Sequence, residues 1–182
     1  MQLKGFKIKL FLILTACFVA VLLPLTLYAV FPCKYKSEVY SIVDGTNIPP
    51  QLTFAIIKAE SSFKKDKVSS KGAVGLMQIM PDTANYVSKL YFGGETFDLF
   101  CPRDNILFGV TYLLYLFEKF PDQKTALCAY NAGEGNVQNW LNEKALSSDG
   151  KSLDKIPFEE TRAYVERVTL YAKIYKILYF LD

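Results

Sequence analysis

The sequence predicts an all-α domain carried behind one long apolar N-terminal helix. From residue 37 onward, apolar residues recur at three- and four-residue intervals, and no stretch alternates strictly enough to make a strand. Before that point, Leu10 to Phe31, LFLILTACFVAVLLPLTLYAVF, runs 22 residues without a charge.

The N-terminal run comes first in the chain. About 20 apolar residues suffice to cross a bilayer as a helix, so 10–31 is long enough, and Pro24 is tolerable inside it. A cleaved signal peptide has a shorter apolar region, of roughly 7–15 residues. Lys4, Lys7 and Lys9 precede the run, which favours a cytoplasmic N-terminus. The expected organisation is a short basic cytoplasmic segment (1–9), a transmembrane signal-anchor (10–31), a juxtamembrane linker (32–37) and one domain (38–182) on the outer face of the cytoplasmic membrane. The alternative is a lipoprotein: LTAC, residues 14–17, resembles a lipoprotein cleavage box with Cys17 as the acylated residue. Against it, the apolar run continues well past Cys17.

In the domain, Val39, Ile42 and Val43 form a short amphipathic pair of turns, closed by Asp44-Gly45. Pro49-Pro50 opens a second helix with Leu52, Ala55, Ile56 and Ala59 on one face. An irregular segment follows at about 64–80. Pro81 opens a third helix, with Ala84, Val87 and Leu90-Tyr91 expected to face inward. Asp104 is expected to cap a fourth, NILFGVTYLLYLFEKF, whose apolar residues on all sides predict a central position. KTALCAYNAG makes a fifth, closed by Gly133, and NVQNWL a sixth. A polar loop at 142–157 leads to the longest, EETRAYVERVTLYAKIYKILYF.

Composition narrows the chemistry. The chain has no His, which excludes Ser-His-Asp and Cys-His catalysis. Five of the 21 basic residues lie in 1–36, leaving 16 against 18 acidic ones in the remainder, so no nucleic-acid groove is expected. No metal or organic cofactor is implied. Cys101 and Cys128 read as two unpaired core thiols, with a disulfide between them as the alternative.

Four clusters stand out. In FAIIKAESSF, Glu60 continues the inward stripe at the end of a helix. A carboxyl in apolar surroundings keeps its proton near neutrality, as a general acid must; the alternative is a buried Glu satisfied by a neighbour, or one turned to solvent. In SSKGAVGLMQIMP, Gly72 and Gly75 permit unusual backbone and Gln78 is a neutral donor and acceptor among apolar residues, unless it is simply exposed. AYNAGEGNV offers Tyr130 and Asn131 at a tight loop, or an ordinary helix end with Tyr130 packed. In IPFEETRAYVERV, Glu160 and Arg162 could be first-turn charges and Tyr164 core.

In this order and spacing, AESSF, GLMQIMP, AYNAG and ETRAYV resemble the lytic transglycosylase catalytic domain, related to goose-type lysozyme, over roughly 38–175. The resemblance implies a lysozyme-like all-α fold and peptidoglycan glycan strands as substrate. It implies Glu60 as the single catalytic acid/base, with Ser61, Ser69, Met77, Gln78, Tyr130, Asn131, Glu160 and Tyr164 as substrate-binding or supporting residues. The chain departs from the family in Glu134, where Pro is common, and in Cys101 and Cys128. The implied reaction cleaves the N-acetylmuramic acid–N-acetylglucosamine bond without water and leaves a 1,6-anhydro end. A hydrolase of the same bond is the alternative, with Asp66 or Glu160 as its second carboxylate; a glycan-binding scaffold without activity is another. No protein partner is indicated.

Overall fold

The structure is a computed structural model that describes residues 2–179; within the first helix, the side chains of residues 2–10, 12–14 and 19 lie outside what is described. Two units are present, 1–33 and 34–182. The first is a single helix, α1 (Gln2–Val30), with Pro24 inside it. Among the described residues no helix is long and apolar enough to cross a membrane. Part of the expected anchor, 10–31, and all of the basic segment 1–9 fall on side chains outside the described set.

The second unit holds seven helices among the described residues: α2 (Lys36–Val43), α3 (Pro50–Ser61), α4 (Pro81–Tyr91), α5 (Pro102–Lys119), α6 (Gln123–Ala132), α7 (Glu134–Leu141) and α8 (Glu159–Tyr179). No named strand occurs among them; the segment between α3 and α4 carries only two isolated bridges, Val68–Val74 and Val74–Ile79. Proline opens α3, α4 and α5, where a missing N–H costs nothing and φ is already set. The Asp122 carboxylate caps α6, accepting from the Thr125 amide at 2.8 Å.

α5 is central as expected, touching α2, α4 and α6, with Ile106, Phe108, Val110, Leu113 and Leu116 buried. α3 lies along α8, and the Phe54 and Tyr175 rings meet at 5.7 Å between them. Two expectations are corrected. α5 starts at Pro102 with Cys101 at its N-cap, so Asp104 lies inside the first turn and accepts instead from the Asp98 amide at 3.2 Å. On α4, Val87 is buried but Leu90 and Tyr91 are 51% and 46% exposed. That short helix packs mainly on α5, so one narrow stripe suffices. Cys101 and Cys128 are not bonded to each other, and burial pushes the Cys128 thiol up to about 12.

Candidate active site

Glu60 is the penultimate residue of α3, whose preceding residues from Leu52 to Ile57 are all buried. The helix cannot continue past Ser61, because Ser62 and Phe63 both take left-handed backbone, φ 51° and 65°. Two consecutive non-glycine residues in that region are costly and hold the chain in a sharp turn. The turn delivers Glu60 to the wall of a cleft of about 490 Å³.

The cleft is lined by residues from every candidate cluster: Glu60 from α3, Ser69 and Gln78 from the α3–α4 segment, Tyr130 and Asn131 from α6, and Glu160 from α8. Burial pushes the Glu60 carboxyl up from 4.5 to about 7. Tyr164, Lys67 and Arg167 pull the other way, in that order, while Glu160 adds to the rise. The Tyr164 hydroxyl is buried beside Glu60, close enough to favour its anion, although it makes no hydrogen bond of full geometry. Burial and the Glu60 charge hold the Tyr130 and Tyr164 phenols well above their usual range.

The polar groups have defined directions. Gln78 sits at φ 50°, and its amide nitrogen donates to the carbonyls of Gly75 (2.9 Å) and Lys67 (3.1 Å). With both donors engaged, Gln78 offers a ligand its carbonyl oxygen, an acceptor. The Ser69 hydroxyl accepts from the Ala73 amide at 3.0 Å, so its own proton is available to donate into the cleft.

Three expected contact residues stand behind the cleft wall instead of lining it. Ser61 is buried and donates to the Ile57 carbonyl at 3.1 Å, in the manner of a helical serine. Met77 is fully buried; its amide donates to Asn105 and its carbonyl accepts from the Tyr130 hydroxyl. Tyr164 is 2% exposed and acts on Glu60. Asp66 is exposed, sits beside Lys65 and does not line the cleft.

The cleft also includes Lys71, Thr83 and Tyr112, none singled out from sequence. Tyr112 lies in a helix apolar on nearly all sides, where a tyrosine reads as core; its hydroxyl was the single hint. Asn105 was missed for the same reason, though a buried amide in an apolar helix always needs partners. Among the described residues no cluster of three His, Cys, Asp or Glu could hold a metal.

Comparison with known proteins places this geometry. The family model described as "Transglycosylase SLT domain" matches residues 41–152. The soluble lytic murein transglycosylase of Escherichia coli K12 is 36% identical over 154 residues, covering 80% of this chain and 23% of that protein. The crystal structure of the 70 kDa soluble lytic transglycosylase of Escherichia coli superposes with a TM-score of 0.73 at 34% identity, over 83% of this chain and 25% of that one. An inactive glutamate-to-glutamine mutant of the Pseudomonas aeruginosa lytic transglycosylase Slt gives 0.70 at 35%, over 81% and 24%. The chain thus spans about a quarter of the length of these relatives. With the family model matching most of the domain and relatives more than 30% identical over four fifths of the chain, the chain belongs to the transglycosylase SLT domain family.

Proposed function

We propose that the protein is a peptidoglycan lytic transglycosylase in which Glu60 serves first as acid and then as base. The carrying observation is a single half-buried carboxyl, raised to about 7, in a cleft that also holds Gln78, Tyr130 and Asn131. Near neutrality Glu60 is substantially protonated. Its proton passes to the oxygen between N-acetylmuramic acid and N-acetylglucosamine as the C1–O bond breaks. The substrate's acetamido group, or an oxocarbenium-like state, carries the charge at C1. The Glu60 carboxylate then takes the proton of the same sugar's C6 hydroxyl as O6 bonds to C1, closing a 1,6-anhydro ring. A shielded site favours this route because water would otherwise compete at C1.

Glu160 keeps a second reading alive. It lines the same cleft, so a lysozyme-type hydrolase would have a second carboxylate available to position water. Its exposure argues for a supporting role, since an open carboxylate beside Glu60 also raises the acid's pKa. The anchor is part of the proposal too: the uncharged run 10–31 would hold the domain on the outer face of the cytoplasmic membrane. Fractionating cells that express the full chain or a chain lacking 1–33 tests it, since only the full chain should resist alkaline extraction from membranes.

The test of the reaction is to incubate the wild-type chain and Glu60→Gln with purified peptidoglycan and weigh the released sugars. Fragments lighter by one water than hydrolytic ones, absent with Glu60→Gln, are expected. Reducing-end products would make the protein a hydrolase, and no release by the wild type would leave a glycan binder.

A further inference from the structure

A row of tyrosines leaves the cleft between α4 and α5. Thr83 and Tyr112 line the cleft, and one turn further along their helices stand Tyr86 and Tyr115. The rings are in sequence: Tyr130 to Tyr112 at 5.6 Å, Tyr112 stacked on Tyr115 at 6.2 Å and 16°, and Tyr115 edge-on to Tyr86 at 5.6 Å. From this row, resting on the transglycosylase reading above, we propose that Tyr86, held by Tyr115, forms an outer saccharide subsite that takes a sugar of the same glycan strand several units from the scissile bond.

The row is fixed at its far end. The Tyr115 hydroxyl donates to the Glu134 carboxylate at 2.8 Å and pairs with the Tyr86 hydroxyl at 3.2 Å. Lys119 holds the same Glu134 oxygen at 3.4 Å and lies over the Tyr115 ring at 5.9 Å. Glu134, the first residue of α7, thus anchors the row. An aromatic ring locked in place before a ligand arrives loses little entropy on binding, which is the property of a stacking platform.

Tyr86 nevertheless stays 43% exposed, and Leu90 and Tyr91 on the next turn are exposed as well. Tyr86 and Leu90, four residues apart, share one face of α4 and leave apolar surface beside the row. A pyranose fits it: the ring's C–H face covers an aromatic face while its hydroxyls meet phenols and the Thr83 hydroxyl. Thr83 lines the cleft one turn before Tyr86 on the same helix, so the occupant is the glycan strand that the cleft would hold.

The full chain carrying Glu60→Gln, in detergent, would be titrated calorimetrically with the trimer and hexamer of N-acetylglucosamine. The hexamer should bind more tightly, and adding Tyr86→Ala should weaken the hexamer about three- to tenfold while leaving the trimer within about twofold. Tyr86→Trp should keep the hexamer's advantage. Equal loss at both lengths, no loss, or no binding of either oligomer overturns the subsite. Product analysis of the Glu60-intact chain separates the two proposals, since anhydro products together with an unchanged length preference in Tyr86→Ala would sink the subsite alone.

Discussion

The Tyr130 hydroxyl donates a 2.9 Å hydrogen bond to the main-chain carbonyl of Met77, joining two cleft-forming motifs across 53 residues. The bond fixes the Tyr130 phenol between the Gln78 wall and the Glu60 wall of the cleft. Tyr130→Phe keeps the ring but leaves the Met77 carbonyl without this donor. The expected cost is about 1–2 kcal/mol in urea unfolding, the range for a buried partner left unpaired. Activity on peptidoglycan should fall at least tenfold, because the wall that carries Gln78 loses its tie. A variant with wild-type stability and rate would show that the bond does nothing to order the cleft.

Glu60 ties stability to pH. Its folded value of about 7 lies above the 4.5 of an ordinary glutamate, so the native state holds a proton that the unfolded chain releases. The stability contributed is complete below pH 4.5 and is lost as the pH climbs through 7. At about 1.4 kcal/mol per unit the loss reaches roughly 3 kcal/mol, and residual solvent contact makes it smaller. Glu60→Gln has no such titration. Its stability relative to wild type should therefore rise between pH 4.5 and 7 and level off above. A difference that stays constant with pH would mean that Glu60 titrates as an ordinary surface acid. In the wild type, kcat/KM should fall above about pH 7 as the acid loses its proton.

Lys67 sets where that fall begins. Its ammonium contacts the Glu60 main-chain carbonyl, and its charge lowers the Glu60 pKa. The other groups that act on Glu60 are Tyr164, Arg167 and Glu160, all on α8. Lys67→Met removes one of the two cations, so the alkaline limb of kcat/KM should move to higher pH. Lys67→Arg should keep it in place. If both variants lose activity without moving the limb, Lys67 serves only to close the end of α3.

The balance of what the sequence disclosed follows from range. Helix starts marked by Pro50 and Pro81 are local facts, and both appear where expected. Six of the nine expected site residues line one cleft, because their motifs are contiguous and each places a polar group beside a turn. Ser61, Met77 and Tyr164 could not be separated from them, since lining a cleft and bracing it from behind produce the same motif. Tyr112, Asn105 and Lys67 stayed hidden because their partners are distant in sequence or are main-chain atoms. Periodicity points Leu90 and Tyr91 inward, because it reports an apolar stripe but not whether a neighbour covers it.

The bracing is most concentrated at Asn105 and Gly75. The Asn105 amide donates to the carbonyls of Val74 and Leu99, each at 2.9 Å, and accepts from the Met77 amide at 2.8 Å. Gly75 stands against it at φ +80°, where a Cβ would lie 2.6 Å from the Leu99 carbonyl and press on the Asn105 amide. Gly75→Ala therefore combines left-handed strain with a clash, for an expected loss of about 3 kcal/mol in urea unfolding. Asn105→Ala strands two carbonyls and an amide and should cost a similar amount. The two sites share one contact, so the double variant should lose clearly less than the two single losses added together. Shrinking Asn105 removes one of the two contacts that the new methyl meets, leaving the strain at position 75 and the Leu99 carbonyl. Simple additivity would show that the methyl is resisted by the Leu99 carbonyl alone, and that Asn105 holds the Met77–Gln78 wall independently of the glycine.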